Sequence, residues 1–192
     1  MKVGLAYLYI APFKSHTDGQ KPVYEKGMEA ARMISVDLTF DKSEAEAYAN
    51  NVLVESENTI TGGSLTLEVD HFSGDARVMA LGVSKVQDGD SYVFRTRNKA
   101  TPYVGAGMIQ VEQVDGKVDY IATWIYKTQF NTQGISASTK GKNTEFKSTQ
   151  ATGKFMGVKV DAEEAAFIDE RHFESIGDAQ GWLKQLAGIS AA

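Results

Sequence analysis

The sequence contains no cysteine and only three prolines and three histidines. Without cysteine, the chain can form neither a disulfide nor a Cys-ligated zinc site. His16, His71 and His172 are far apart, and none has a partner at a metal-ligand spacing such as His-Glu-x-x-His. We therefore expect no metal site and no catalytic histidine.

Motifs for common enzymatic chemistry are also missing. There is no G-x-S-x-G nucleophile turn. Gly141-Lys142 is followed by Asn143, where a phosphate-binding loop needs Ser or Thr. Gly105-Ala106-Gly107 lacks the third glycine of a dinucleotide loop and lies inside a strand pattern. We predict that the protein is not an enzyme and binds no cofactor.

Long hydrophobic runs are absent as well. The apolar run Val3 to Phe13 is about half the length of a membrane span. It lacks the features of a signal peptide, so no membrane partner is expected. The net charge of −5 argues against a nucleic-acid-binding patch as the main function of the surface. The 192 residues are 42% hydrophobic, which suits a single domain over 1–192. We expect an N-terminal arm at about 1–30.

The main pattern that is present has a period of two, which is typical of half-buried strands. It runs through 32–41 and again through 59–70, where Gly62-Gly63 indicates a bulge or a tight turn. The residues predicted to face the core are Ile34, Val36, Leu38, Phe40, Leu65, Leu67 and Val69.

A hairpin is predicted in the middle of the chain. Tyr103–Gln113 and Lys117–Thr128 are rich in β-forming residues, and Asp115-Gly116 between them favours a tight turn. The second strand has large side chains on both faces, so it should be covered on both sides. Together with further β-rich segments at 144–160 and 167–173, this predicts a mainly β fold, an antiparallel sandwich or barrel.

Three helices are predicted beside these strands. Ser43 with Glu46 fits a capping box, which indicates a short helix over Ser43–Tyr48. A second short helix should follow Ser73 and end near Gly82. A C-terminal amphipathic helix is expected at about 175–188.

Four carboxylates, Asp37, Asp41, Glu68 and Asp70, alternate with Ser and Thr on the outward faces of the two alternating segments. This pattern fits a solvated sheet face, and it also fits the wall of a channel. An acid-base pair is the weakest interpretation, because no pocket signal accompanies it. The polar segment Asn131–Asn143 is predicted to be a long exposed loop.

The order of these motifs resembles the major tail protein family of long-tailed, non-contractile bacteriophages. The resemblance covers roughly residues 1–188 and depends on order and spacing, not on one motif. The segments that carry it are 30–38, 43–55, Thr61–Asp70, the helix ending at Leu81-Gly82, Pro102–Gly107, Ala122–Phe130 and the terminal helix Ala179–Leu186.

The resemblance implies a tail tube fold of two packed antiparallel sheets with a flanking helix. Subunits of that family form hexameric rings that stack into a hollow tube, with hairpins joined into one inner barrel and DNA passing through it. It implies a virion location, and as partners the chain's own copies and the tape measure, tail terminator and distal tail proteins. Asp37, Asp41, Glu68 and Asp70 become candidates for the lumen. The N-terminal run and the loop residues Gln133, Ser136, Lys140 and Lys142 become candidates for contact between rings.

Two alternatives stay open. The inner tube protein of a contractile tail or injection device shares the fold. A soluble ligand-binding β-sandwich or barrel would instead be monomeric and contain a closed apolar pocket.

Overall fold

The computed structural model describes residues 2–49, 52–131 and 148–189. The structure is 60% strand and 12% helix, which confirms the predicted mainly β antiparallel fold with one short and one C-terminal helix. The strands are β1 (Lys2–Ser15), β2 (Val23–Tyr24), β3 (Met28–Ala31), β4 (Met33–Ala49), β5 (Val52–Val69), β6 (Ser84–Asp88), β7 (Ser91–Arg95), β8 (Tyr103–Val114), β9 (Lys117–Phe130), β10 (Thr149–Met156) and β11 (Ile168–Phe173). The helices are α1 (Gly74–Leu81) and α2 (Ile176–Leu186).

One sheet contains nearly all the strands, in the order β2-β1-β8-β9-β10-β5-β4, and its pairings are antiparallel. β3 pairs with β1, and β11 pairs with β9. β10 and β11 follow one another along the same side of β9, because Met156 pairs with Lys127 and Ile168 with Ile125. Between them, residues 157–167 leave the sheet and are closed at the base by mutual backbone hydrogen bonds between Val158 and Ala166. β6 and β7 form a separate two-stranded sheet.

The main sheet curls so that strands from its two ends share one core. Leu8 and Ile10 of β1 belong to the same buried cluster as Leu65 and Leu67 of β5, although three strands separate β1 from β5 in the sheet. α1 adds Ala76, Ala80 and Leu81 to this cluster. The curl therefore gives a partly closed β structure with one helix packed into it.

A second core lies on the other face of β1, β8 and β9. Tyr9, Trp124 and Tyr126 pack there with Ala179 and Leu183 of α2. β9 thus contributes Ile125 and Phe130 to the first core and Trp124 and Tyr126 to the second. This confirms the prediction that β9 is covered on both faces.

The turn and cap signals are confirmed where they were predicted. Asp115 and Gly116 have φ of 50° and 80°, as a tight turn between β8 and β9 requires. Ser73 caps α1 by accepting a hydrogen bond from the Ala76 N–H at 3.2 Å, and Gly82 ends this helix with φ of 65°. Ser175 caps α2 in the same way.

The helix predicted over Ser43–Tyr48 is wrong. This segment is the far end of β4 and pairs with β5 from Ser43 opposite Thr59 to Ala49 opposite Val52. The capping box and the alanines favour a helix only locally, and strand pairing with β5 outweighs that weak preference.

Two further predictions need correction. Residues 2–31 do not form an arm, because β1 is an inner strand with β8 on one side and β2 and β3 on the other. Ile34 does not face the core: the register shifts between Met33 and Ser35, which buries Met33 and leaves Ile34 53% exposed. The bulge interpretation of Gly62-Gly63 is supported, since the register also shifts where Asp41 pairs with Gly62 and Lys42 with Ile60.

Candidate assembly surfaces

The predicted carboxylates lie along the outward face of β4 and β5. Leu65, Leu67 and Val69 of β5 are fully buried, so the alternate residues point away from the core. In the paired register, Asp37 is opposite Thr66 and Ser35 is opposite Glu68. Gln150, Thr152 and Lys154 of β10 extend this surface, which we call the polar face. The polar face is mixed in charge, because Lys154 joins the acids.

Glu68 and Asp70 are the carboxylates with defined hydrogen bonds. Glu68 accepts from the hydroxyls of Ser148 and Ser35, and these bonds lower its pKa, the Ser148 bond most. For Asp70, partial desolvation raises the pKa, but backbone N–H groups of His71 at 2.7 Å and Arg32 at 3.2 Å outweigh it and leave the pKa lowered. Both acids are therefore held ionised near the base of the β4–β5 hairpin.

The four acids share a face but do not form a cluster. Asp37 and Asp41 are exposed and lie four positions apart on β4, while Asp70 follows the end of β5. In the part of the chain that the structure describes, no group of three or more His, Asp or Glu residues could hold a metal ion. Gln133, Ser136, Lys140 and Lys142, predicted to contact the next ring, lie outside the described residues.

The β4–β5 hairpin extends beyond the rest of the sheet. β10 pairs with β5 only from Val69 to Gly63. From Lys42 to Ala49 and from Val52 to Ile60, the two strands pair with each other alone among the described residues. A two-stranded hairpin is at best marginally stable in water. This segment, the distal hairpin, therefore presents backbone donors and acceptors on both of its edges.

β4 is also the last strand of the main sheet, and β5 is its one strand partner within the described ranges. A long free edge offers unpaired N–H and C=O groups to any other strand. β11 has a shorter free edge, because among the residues that the structure describes it pairs with β9 alone. Sequence reasoning missed both edges, since strand order depends on contacts between distant segments.

An open groove of about 880 Å³ runs along the edge of β4. Its wall on β4 includes Ile34, Val36, Asp37, Leu38 and Phe40. Its floor and far side come from β1, β8, β9 and β11, with the residues Leu5, Met108, Gln110, Thr123, Ile168 and Glu170 among them. The ionisable groups of its described lining, Asp37 and Glu170, are both acidic. The groove thus has a mixed polar and apolar lining with an acidic charge, and among the described residues it is bordered by an unpaired strand edge.

A histidine-carboxylate pair joins β11 to β9 at the end of this surface. His172 Nδ1 lies 2.5 Å from Asp119 Oδ2. The hydrogen bond from Asp119 is the largest cause of a raised His172 pKa, and the charges of Asp119, Glu170 and Glu112 add to it, while desolvation opposes it. Because the folded-state pKa lies above its ordinary value of 6.5, the pair stabilises the fold fully below that pH. The contribution is lost as pH rises through the folded pKa.

Replacing Asp119 by Asn should lower the pKa of His172 towards its ordinary value, because the neutral amide no longer favours the imidazolium. An NMR titration of the His172 ring protons measures this directly. Asp115→Asn, in the exposed turn of the same hairpin, is the matched control and should leave the His172 titration unchanged. An unchanged His172 pKa in Asp119→Asn would contradict the assigned pairing.

Within the described residues, no helix has the length and apolar character needed to cross a membrane. No known protein family model matches the chain. The curated proteins likewise contain no significant match to it. The interpretation of these surfaces therefore depends on the chain's own residues and geometry.

Proposed function

We propose that the protein is a structural subunit that self-assembles into rings stacked as a bacteriophage tail tube. The observation that carries this proposal is the distal hairpin, together with the free edge of β4. A monomer that leaves a strand of this length unpaired is prone to uncontrolled association. Closure into a ring of identical copies removes such edges, since each copy covers the edge of the next.

The polar face gives the proposal a candidate lumen. Asp37, Asp41, Glu68 and Asp70 lie on it, with Ser and Thr between them. A surface past which DNA slides should not hold phosphate groups tightly, and ionised carboxylates repel them. In this proposal, DNA passes along the polar face during delivery to the host, and the subunit's other partners are the remaining tail proteins.

The groove distinguishes this proposal from the ligand-binding alternative. A small-molecule site is usually a cavity that encloses most of its ligand. Here the groove is open along a strand edge, and that form suits another polypeptide better than a small ligand.

Assembly is tested by sedimentation velocity over a wide concentration range, with negative-stain electron microscopy of the same samples. We expect rings, or tubes of uniform width, whose fraction rises with protein concentration. A protein that remains monomeric at the highest concentration would contradict the proposal.

A further inference from the structure

The β6–β7 hairpin lies outside the main sheet. It forms its own two-stranded sheet and rests on α1, where the Phe94 ring occupies the space beside Gly74 and Lys85 Nζ lies 2.8 Å from Asp75 Oδ1. Tyr92 is 57% exposed, although Lys85 Nζ lies 4.4 Å from its ring centre. An aromatic side chain of this exposure suits a contact surface, in which tyrosine is enriched.

The segment that begins with β7 is basic in an acidic protein, although the β6–β7 turn carries Asp88 and Asp90. From Ser91 to Lys99 the chain carries Arg95, Arg97 and Lys99 and no acid, whereas the whole chain has a net charge of −5. The groove along β4 has the opposite character, with Asp37 and Glu170 in its lining and Asp41 exposed further along β4. The two surfaces are therefore complementary in charge.

We propose that β7 of one copy adds as a strand to the free edge of β4 in a second copy. This inference rests on the proposed self-assembly and assigns one of its contacts. In strand addition, backbone hydrogen bonds along the edge supply affinity, and alternate side chains supply specificity. Within the described ranges both strands have an unpaired edge: β4 on the side away from β5, and β7 on the side away from β6.

The alternation of the two strands is compatible with this pairing. Tyr92 and Phe94 share one face of β7, and Val93 and Arg95 share the other. If Tyr92 enters the groove beside Val36 and Leu38 while Phe94 stays packed against α1, Arg95 joins the polar face. Asp37 lies on that face, so the same orientation buries aromatic surface and pairs opposite charges.

The contact is heterologous, because the β7 surface and the groove share no residue. Each copy can donate its hairpin to one neighbour and receive the hairpin of another. Such contacts close into rings when the rotation between copies allows it. They also predict a specific behaviour when two defective variants are mixed.

The first experiment is a mixing test with Arg95→Glu, which damages the hairpin, and Asp37→Lys, which damages the groove. Each variant alone should associate at least about tenfold more weakly than the wild type. An equimolar mixture should restore assembly, since the native Arg95–Asp37 pair forms at one contact and the charge-reversed pair at the next. Combining both changes in one chain should restore assembly. Lys117→Glu and Glu163→Lys, at exposed sites elsewhere, serve as charge-reversal controls and should assemble normally.

The second experiment uses the cysteine-free background. A Val93→Cys chain is mixed under oxidising conditions with chains carrying cysteine at Ser35, Asp37 or Thr39, three positions that span the possible registers. We expect a disulfide-linked dimer with at least one of them. Thr152→Cys is exposed on the same polar face but lies on β10, two strands from the edge, and should not cross-link.

The outcomes separate the two proposals. Wild-type rings that survive Arg95→Glu and Asp37→Lys, with no cross-link at the three β4 positions, would overturn this contact and leave the tail tube proposal standing. A wild-type protein that stays monomeric and gives no cross-link would overturn both.

Discussion

Shortening the β4–β5 hairpin is expected to abolish self-assembly while leaving the free energy of unfolding almost unchanged. The change replaces residues 43–59 by Asn-Gly, a pair that favours a tight turn, and so joins Lys42 to Ile60, which are already paired. The removed residues have strand partners only within the distal hairpin, because β10 reaches β5 no further than Gly63. The remaining sheet keeps both of its cores.

Urea unfolding followed by circular dichroism measures stability, and sedimentation velocity measures assembly. The midpoint in urea should match that of the wild-type subunit under conditions where both are monomeric. The control shortens a different hairpin at its turn. Replacing Val114–Lys117 by Asn-Gly shortens the β8–β9 turn and should leave assembly intact. A hairpin-shortened protein that still forms rings would contradict the role assigned to the distal hairpin.

Replacing Trp124 by Ala should lower the free energy of unfolding by about 3–5 kcal/mol, the largest single loss we expect in the second core. The indole is fully buried and its Nε1–H donates to Tyr24 Oη at 3.2 Å. Tyr24 in turn donates to the Tyr126 carbonyl oxygen at 2.6 Å, and burial raises the Tyr24 pKa. Removing the ring leaves a cavity and removes the hydrogen bond and the ring contact that join β9 to Tyr24 of β2. Urea unfolding by circular dichroism measures the loss, which is a large part of the stability of an ordinary domain.

The neighbouring glycines give this prediction a second test. A Cβ at Gly107 would lie 2.6 Å from Trp124 Cε3 and 2.9 Å from Leu183 Cδ2, so Gly107→Ala should cost about 1–3 kcal/mol. In a Trp124→Ala background, Gly107→Ala should lower the free energy of unfolding by less, since the ring that obstructs the added Cβ is absent. Gly181→Ala on α2 is the control: an added Cβ there meets no atom within 4 Å, and the helix should gain up to about 1 kcal/mol. Additive losses in the double variant would show that the indole does not determine the space at Gly107.

Local signals predicted the elements that depend on nearby residues. Alternation placed Asp37 and Glu68 on the outward face, because the side-chain period of a strand is independent of what it pairs with. Ser73 and Gly82 marked α1, and Asp115-Gly116 marked the β8–β9 turn, since caps and turns need particular side chains or φ values at single positions.

The wrong predictions concern residues whose secondary structure depends on pairing with other segments and not on local sequence preference. An Ala-Glu-rich stretch such as Ser43–Tyr48 favours a helix in isolation, and only its pairing with Val52–Thr59 makes it a strand. The Asn50-Asn51 pair in the sequence, typical of a turn, is the signal that could have indicated a hairpin instead. Ile34 was misassigned because the bulge between Met33 and Ser35 shifts the alternation by one residue, so that Met33 and not Ile34 faces the core ahead of Val36 and Leu38.

The candidate site was the least predictable part. The groove forms where β4 faces β1, β8 and β11, and the curl of the sheet brings these strands together. Leu5 and Glu170 are more than 160 positions apart in the chain, yet both line it. A local sequence pattern does not indicate which strand lies at the edge of a sheet. The free edge of β4 and the inner position of β1 are therefore seen only in the folded structure.

The loop between β10 and β11 is a suitable site for an insertion. Both strands continue along one side of β9, and the Val158–Ala166 pair closes the 157–167 loop at its base. Asp161 to Ala165 are exposed beyond that closure. Lengthening a closed loop costs only about 0.6 kcal/mol per doubling, and the strand register on either side stays as it is. A peptide tag, a small domain or a dye-bearing cysteine inserted there should leave the sheet undisturbed.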